Sequence, residues 1–120
     1  MEKKLKVKKI KVPLFSGFIM AFIGGREDFL DHMFNKYGAD LTGSADTTTH
    51  GLCFNLTNPN GESLTGIWVD KGTPFPVLAH ECLHATYFTL DFFGVSSSVN
   101  DNETQAYLLQ YYIEEISKLL

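Results

Sequence analysis

The stretch that decides the fold of this chain is residues 76–93, PVLAHECLHATYFTLDFF. Most of its side chains are apolar, and this pattern predicts a helix that is buried around most of its circumference. Thr73-Pro74 comes shortly before it, with a hydroxyl at the cap position and a proline at the first helical position, which is typical of a helix start. Polar side chains inside such a helix need partners within the protein.

Three of these polar residues, His80, Glu81 and His84, read H-E-x-x-H. Residues four apart on a helix lie one turn apart on the same face, so both imidazoles can reach one metal ion. The pattern predicts a zinc-dependent hydrolase site with His80 and His84 as metal ligands and Glu81 as the catalytic base that takes a proton from water. The alternative is a core helix whose histidines bind backbone carbonyls while Glu81 faces solvent.

A catalytic zinc ion has three protein ligands, so a third must be found. The extension H-x-x-G-x-x-H is absent, because Tyr87 and Leu90 occupy its glycine and last histidine positions. Asp91 follows His84 by two turns on the same face, about 10 Å along the axis, which is too far to share the ion. A carboxylate on the next helix remains, and we assign the third ligand to Glu103.

Glu103 opens a helix predicted after the glycine and serine loop at residues 94–100. The apolar stripe of that helix consists of Ala106, Leu109, Ile113, Ile116 and Leu120. Glu103 precedes Ala106 by three residues, so it continues the stripe, and the pattern predicts that Glu103 lies on the buried face of this helix. However, Asn100-x-x-Glu103 also fits a capping box, in which the glutamate folds back onto its own helix end. The two interpretations exclude each other, and the sequence leaves both open.

With these residues the chain resembles the gluzincins, zinc peptidases with H-E-x-x-H on one helix and a glutamate ligand on a following one. It looks most like the compact minigluzincins and the small predicted metallopeptidases of phage and prophage genomes. The resemblance rests on residues 78–85, LAHECLHA, residues 102–107, NETQAY, and residues 67–70, IWVD. It implies a zincin-like fold, a Zn²⁺ cofactor and a peptide or protein substrate, with ligands and base as assigned above.

The chain departs from the gluzincin pattern at Tyr107, where thermolysin-type members carry an aspartate four residues after the ligand glutamate. Many gluzincins also use a tyrosine or histidine to stabilise the oxyanion. Tyr107 and Tyr87 each lie one turn past a predicted ligand and are the candidates here, although tyrosines in such positions commonly serve packing.

The remaining chain predicts strands near residues 5–12 and 18–23, a helix at 27–36, and two strands at 52–56 and 64–69. Asn58-Pro59-Asn60-Gly61 joins the last two strands as a hairpin. Residues 1–120 then form a single α+β domain, a small mixed or antiparallel sheet on one side and three helices on the other, the last two carrying the metal site.

In zincin-like folds the strand before the site helix often lies along the cleft, where a peptide can add as a further strand. Residues 66–70 are the candidate for that edge. Trp68 within it either faces the cleft or packs in the core, and packing is the better interpretation because most tryptophans are largely buried. His32 and His50 have no ligand spacing and are interpreted as surface or loop histidines.

Charge is unevenly distributed along the chain, although the net value of −4 gives no general attraction for nucleic acid. Six lysines fall within the first eleven residues, at Lys3, Lys4, Lys6, Lys8, Lys9 and Lys11. A secretory leader with residues 12–23 as its apolar part is one interpretation, but Pro13 interrupts that run and the lysines alternate with apolar residues as in a strand. The lysines then form a solvated strand face that discourages edge pairing, with contact to nucleic acid as the alternative.

The two cysteines, Cys53 and Cys82, form no C-x-x-C pair, and without a secretion signal they favour a reducing compartment, the cytoplasm. Cys82 is interpreted as a small core residue. We expect no nucleic-acid or membrane partner. Zinc-dependent peptide hydrolysis is the main functional hypothesis. A zincin-fold binding or regulatory module with zinc but little proteolytic activity, perhaps of phage context in view of the resemblance, and a metal-free structural domain are the alternatives.

Overall fold

The computed structural model describes residues 5–45, 50–95 and 102–120. Its elements are β1 (Lys6–Lys11), β2 (Phe18–Ile23), α1 (Arg26–Tyr37), β3 (Gly51–Thr57), β4 (Ser63–Val69), α2 (Phe75–Phe92) and α3 (Glu103–Ser117). This order agrees with the one predicted. Asn100, the cap in the capping-box interpretation of Glu103, lies outside the described residues, as do Lys3 and Lys4.

The four strands form one mixed sheet in the order β1-β2-β4-β3. The β1/β2 and β3/β4 pairs are antiparallel, whereas β2 and β4 run parallel. The turn between β3 and β4 is organised by Asn58, whose side-chain oxygen accepts the backbone N–H groups of Asn60 at 3.0 Å and Glu62 at 2.9 Å. Such asparagine bonds hold a turn without help from distant residues. The prediction of a small mixed sheet and three helices is confirmed.

The helices lie on both faces of the sheet, and the prediction that all three share one face is wrong. Side chains alternate between the faces along each strand, so Ile67 and Trp68 belong to different cores. Ile67 packs with residues of α2 and α3, whereas Trp68 packs with Phe29 and Met33 of α1. The physical reason is that β2 and β4 carry apolar side chains on both faces of the sheet. Helices must therefore pack on both faces to bury these side chains.

Trp68 is fully buried on the α1 side, as the packing interpretation predicted. Its ring stacks on Phe29 with centroids 5.2 Å apart, and its indole N–H donates to the carbonyl of Gly24 at 2.9 Å. The strand that carries it, β4, is an interior strand between β2 and β3. Residues 66–70 therefore do not form the edge along a cleft, and β3 is the edge strand on the α2 side of the sheet.

The buried line of α3 consists of Leu108, Tyr112 and Ile116. The predicted stripe is right in part: Ile116 is buried, and Leu109 and Ile113 are half-buried against the same core. It left out Leu108 and Tyr112, both fully buried. Thr89 donates its hydroxyl to the Ala85 carbonyl at 2.9 Å, so the Tyr112 phenol donates to Thr89 Oγ1 at 2.7 Å. This bond satisfies the polar end of the tyrosine inside the core.

Two members of the predicted stripe, Ala106 and Leu120, are exposed as a result. Glu103 is exposed as well, so the prediction that it lies on the buried face is wrong. At about 100° per residue it stands roughly opposite Tyr112 around the helix axis.

The start of α2 also differs in detail from the prediction. Pro74 is the cap residue, with an extended backbone (φ −66°, ψ 150°), and no side chain caps the helix. Thr73 lies one residue earlier, where its N–H closes a turn onto the Asp70 carbonyl at 3.1 Å. Because that turn carries the chain into the helix, the Thr73 hydroxyl is not at the cap position.

Of the helices in the described part of the chain, none has both the length and the apolar character that crossing a membrane requires.

Gly66 in β4 is required by the aromatic ring opposite it. Gly66 pairs with Phe54 of β3, and a Cβ at Gly66 would overlap the Phe54 ring. We expect Gly66→Ala to lower the free energy of unfolding by about 1–3 kcal/mol, the usual cost of overpacking a core. Urea denaturation monitored by Trp68 fluorescence measures it. Gly43→Ala is the matched control, because a Cβ there meets nothing within 4 Å; equal midpoints for the two variants would contradict the prediction.

Candidate metal centre

The structure brings His80, Glu81 and His84 together in the middle of α2. Their ligand atoms all lie within 4.8 Å of one another. The core side of the helix is formed by Leu78, Cys82, Ala85 and other buried residues. The two histidines lie on the side that this packing leaves open, and both are exposed. They are therefore not core histidines, and the alternative interpretation of this helix does not hold.

The two imidazoles converge on one point. The Nε2 atoms of His80 and His84 are 3.2 Å apart, and the rings stand at 76° to each other with centroids 4.8 Å apart. Two nitrogens bound to one tetrahedral zinc ion at about 2.0–2.1 Å are about 3.3 Å apart. The observed spacing matches that value. Without an ion the same spacing suits a hydrogen bond from one ring nitrogen to the other.

Glu81, unlike the two histidines, is buried, with only 8 % of its surface exposed. Its carboxylate accepts a hydrogen bond from the backbone N–H of Cys53 in β3. Burial raises the pKa of Glu81 above its ordinary value, while His80, His84 and the Cys53 N–H act in the opposite direction. The carboxylate thus lies between the edge strand and the imidazoles, where it is shielded from bulk solvent yet stays next to both rings.

Gly51, the first residue of β3, makes this position available to Glu81. A Cβ on Gly51 would lie 3.0 Å from Glu81 Cγ and 3.1 Å from Val77 Cγ1, closer than most side chains tolerate. The sequence analysis did not identify Gly51 as part of the site. A glycine at the start of a strand is a sign of close approach by another group, and that signal was present in the sequence.

Glu103 is not part of the group that the structure forms around the histidines, within the described residues. It lies exposed at the first position of α3. The second residue after it, Gln105, donates a hydrogen bond to the hydroxyl of Tyr87 at 3.3 Å. Tyr87 follows His84 by about one turn of α2. The first turn of α3 therefore lies against α2 next to the histidines, and the ligand role of Glu103 stays a prediction.

The oxyanion candidates Tyr87 and Tyr107 are both partly exposed, at 43 % and 47 %. Asp91 is also exposed and is not a member of the histidine group. His50 is exposed, with its Nδ1 atom 3.6 Å from a carboxylate oxygen of Asp70. His32 is half-buried on α1 rather than at the surface. Neither of these histidines belongs to the group among the described residues that could hold a metal ion.

Both cysteines are free thiols next to the site. Cys82 is fully buried, as predicted for a small core residue. Burial raises the pKa of its thiol to about 12, and the same cause raises the pKa of Cys53 even further. Protonated thiols are poor metal ligands and poor nucleophiles. The chemistry of the site therefore belongs to the histidines and the glutamate.

No family model matches the chain, and neither a curated protein nor a solved structure is significantly similar to it.

Metal binding by the two histidines can be measured directly. We expect Zn²⁺ or Co²⁺ to raise the melting temperature of the wild type, because a ligand at a hundred times its Kd stabilises the folded state by about 2.7 kcal/mol. His84→Ala should abolish the shift, and His50→Ala, which changes an exposed histidine outside the group, should retain it. A shift that survives His84→Ala would place the bound metal elsewhere.

Proposed function

We propose that the protein is a zinc-dependent peptide hydrolase whose metal is held by His80, His84 and Glu103 and whose catalytic base is Glu81. The observation that carries the proposal is the convergence of the two Nε2 atoms, 3.2 Å apart, next to a buried carboxylate. Imidazole nitrogens with a carboxylate oxygen are a donor set that suits zinc. When bound, the ion would supply a Lewis acid that polarises a carbonyl and lowers the pKa of a water molecule to about 7.

The surroundings of Glu81 support the proposed role of this residue as the base. Its carboxylate accepts one hydrogen bond from the Cys53 N–H. The other lone pairs of the carboxylate oxygens stay available to accept a proton from water on the histidine side. After that transfer the protonated carboxyl can deliver the proton to the leaving amine, so one side chain serves both steps. The packing against Gly51 restrains it, and a base with little freedom of movement spends more of its time in position.

Glu103 supplies the third ligand in this proposal. What supports the assignment is its exposure, which leaves the carboxylate uncommitted to the core, and the contact of Gln105 with Tyr87 beside the histidines. With the two imidazoles, the Glu103 carboxylate would complete the three protein ligands that a catalytic zinc ion requires.

The substrate class is inferred from the edge of the sheet. β3 pairs with β4 on one side, and its other edge carries the Cys53 N–H that meets Glu81. Beyond Cys53, where Glu81 does not occupy the edge, an extended peptide can add to it through backbone hydrogen bonds. A chain laid there would run past Glu81 and the imidazoles, so peptides suit the site better than compact small molecules.

A second candidate function rests on the fact that Glu81 is itself a member of the ligand group. If its carboxylate binds the metal together with the histidines, the site holds a cation without a free base, and the protein is a zinc-containing binding or regulatory module with little proteolytic activity. In the first candidate function Glu103 is the carboxylate ligand of the metal, and in the second it is Glu81.

Glu81→Gln distinguishes the two candidates. As a base, Glu81 can be replaced by an amide of the same shape with zinc retained, while cleavage of a broad peptide library falls below detection. Metal content by mass spectrometry and single-turnover assays measure the two properties together. Loss of zinc in Glu81→Gln would instead identify Glu81 as a ligand, and full activity would remove it from the mechanism.

Glu103→Ala tests the third ligand. We expect zinc affinity to fall by at least about 100-fold, because two imidazoles alone hold the ion poorly. Glu114→Ala is the matched control, since it changes another exposed glutamate on the same helix. Isothermal titration with Zn²⁺ gives both affinities, and circular dichroism shows whether the fold is kept. Equal affinities for the two variants would contradict the role of Glu103.

A further inference from the structure

One half of the sheet face that carries α1 is exposed and basic. Side chains alternate between the two faces along β1, and Ile10 belongs to the core under α2 and α3. Lys9 and Lys11 therefore lie on the opposite face, the one that carries α1. They pair with Met20 and Phe18 of β2, which lie on that face as well. Neither strand contains an acidic residue, so nothing in β1 or β2 neutralises these two lysines.

Phe18 and Met20 form an apolar floor between the lysines and α1. Phe18 is 45 % exposed, and Met20 is half-buried at the margin of the core under α1. The Lys9 ammonium group lies 4.3 Å from the centre of the Phe18 ring, and this cation–π contact keeps the cation over the floor. The surface thus presents ammonium groups and an aromatic ring side by side.

Lys36 of α1 forms the opposite wall of this surface. It follows His32 by four residues, so the two side chains lie on one face of the helix. The centroids of the His32 ring and the Phe22 ring of β2 are 5.7 Å apart, which shows that this face of α1 is turned towards β2. Asp28 is the acidic residue on the same face, and it precedes Lys36 by about 12 Å along the helix axis. The wall is therefore basic at the end of α1.

The end of α1 lies level with Phe18. Tyr37, which follows Lys36, lines a cavity together with Leu64 of β4. The parallel register of β2 and β4, continued by two residues, places Leu64 beside Phe18. Lysines therefore stand on both sides of one exposed ring. We call this surface the basic trough, and it consists of Lys9, Lys11, Phe18, Met20 and Lys36.

The chemistry of the basic trough suits a single strand of nucleic acid. Ammonium groups bind phosphates, and an exposed aromatic ring stacks with a base of any kind. A double helix stacks its own bases on one another, so an unpaired strand can use the ring and a duplex cannot. An acidic peptide would meet the charges but no backbone partners, because the N–H and C=O groups of a sheet lie in its plane and do not point from its face.

We propose that the basic trough binds single-stranded nucleic acid without sequence preference. Lys9, Lys11 and Lys36 bind phosphates, and a base stacks on Phe18 as the Lys9 ammonium group moves from the ring to a phosphate. The expectation of no nucleic-acid partner rested on the net charge of −4. Salt screens exposed charges beyond about 8 Å, so the lysines in contact with the phosphates decide the attraction. This surface shares no residue with the candidate metal site.

Fluorescence anisotropy with a labelled oligothymidylate tests the proposal. An oligonucleotide of roughly 12 nucleotides lies within the usual range of site sizes. We expect the full chain to bind it, and we expect the logarithm of the affinity to fall against the logarithm of the salt concentration. The slope should be about −2, since each of three phosphate contacts to a single strand contributes about −0.7. A duplex of the same length should bind more weakly.

Two double variants separate the basic trough from overall charge. Lys9→Gln with Lys11→Gln should weaken binding and reduce the slope to about −0.7, the value for one phosphate contact. Lys8→Gln with Lys71→Gln removes the same charge outside the trough, because Lys8 lies on the other face of β1 and Lys71 is exposed in the β4–α2 connection. This control should keep the slope of the wild type.

Variants of Phe18 test the stacking. Phe18→Ala should weaken binding by at least about fivefold, the lower limit for the loss of one base–aromatic stack. Phe18→Tyr keeps the ring and should bind as the wild type does. Phe75→Ala changes a ring that is 62 % exposed at the start of α2 and should have no effect. Circular dichroism of every variant shows whether the fold is kept.

Three results would overturn the proposal. The first is absence of binding to the oligonucleotide at low salt. The second is an equal loss of affinity in the two double variants, which would show attraction by overall charge. The third is full competition by polyglutamate together with unchanged binding in Phe18→Ala, which would assign the basic trough to acidic peptides instead.

Discussion

The contact between α2 and the first residues of β3 is the constraint on which the rest of the site depends. Gly51 lets the Glu81 side chain lie against the edge strand, and the Cys53 N–H holds its carboxylate there. Because consecutive helical residues point about 100° apart, fixing Glu81 towards the strand turns His80 away from it, and His84 follows one turn later. The burial of Glu81 and the exposure of His80 and His84 therefore follow from one packing contact between α2 and β3. Any side chain larger than hydrogen at Gly51 would prevent that contact.

The sheet behind this contact is covered on both faces, and the two covers serve different purposes. On one face, α1 packs on Trp68, Phe22 and Phe54 without reaching the site. On the other face, α2 and α3 share a core. The hydrogen bond between the Tyr112 hydroxyl and Thr89 Oγ1 joins the two helices within that core. That bond sets the rotation of α3. It directs Leu108 and Ile116 inwards, and by the same rotation it leaves Glu103 at the surface.

Charge is distributed unevenly between the two edges of the sheet. The candidate metal site is formed by α2 next to the edge strand β3, and four lysines belong to β1 at the opposite edge of the sheet. A sheet of four strands is wide enough that these edges are about 14 Å apart, which is more than a Debye length at physiological salt. The lysines of β1 therefore have little influence on a cation at the histidines.

Much of the architecture follows from local patterns in the sequence. Alternation defined the strands, Asn58 and Gly61 marked the hairpin, and the H-E-x-x-H spacing placed two imidazoles on one helical face, because each of these depends only on neighbours a few residues away. Other features depended on contacts between distant segments. The rotation of α3, the cover of the second face by α1 and the role of Gly51 beside Glu81 were decided by tertiary packing. The spacing of apolar residues shows that a strand has two apolar faces. It does not show which helix covers each face, because that depends on segments distant in the sequence.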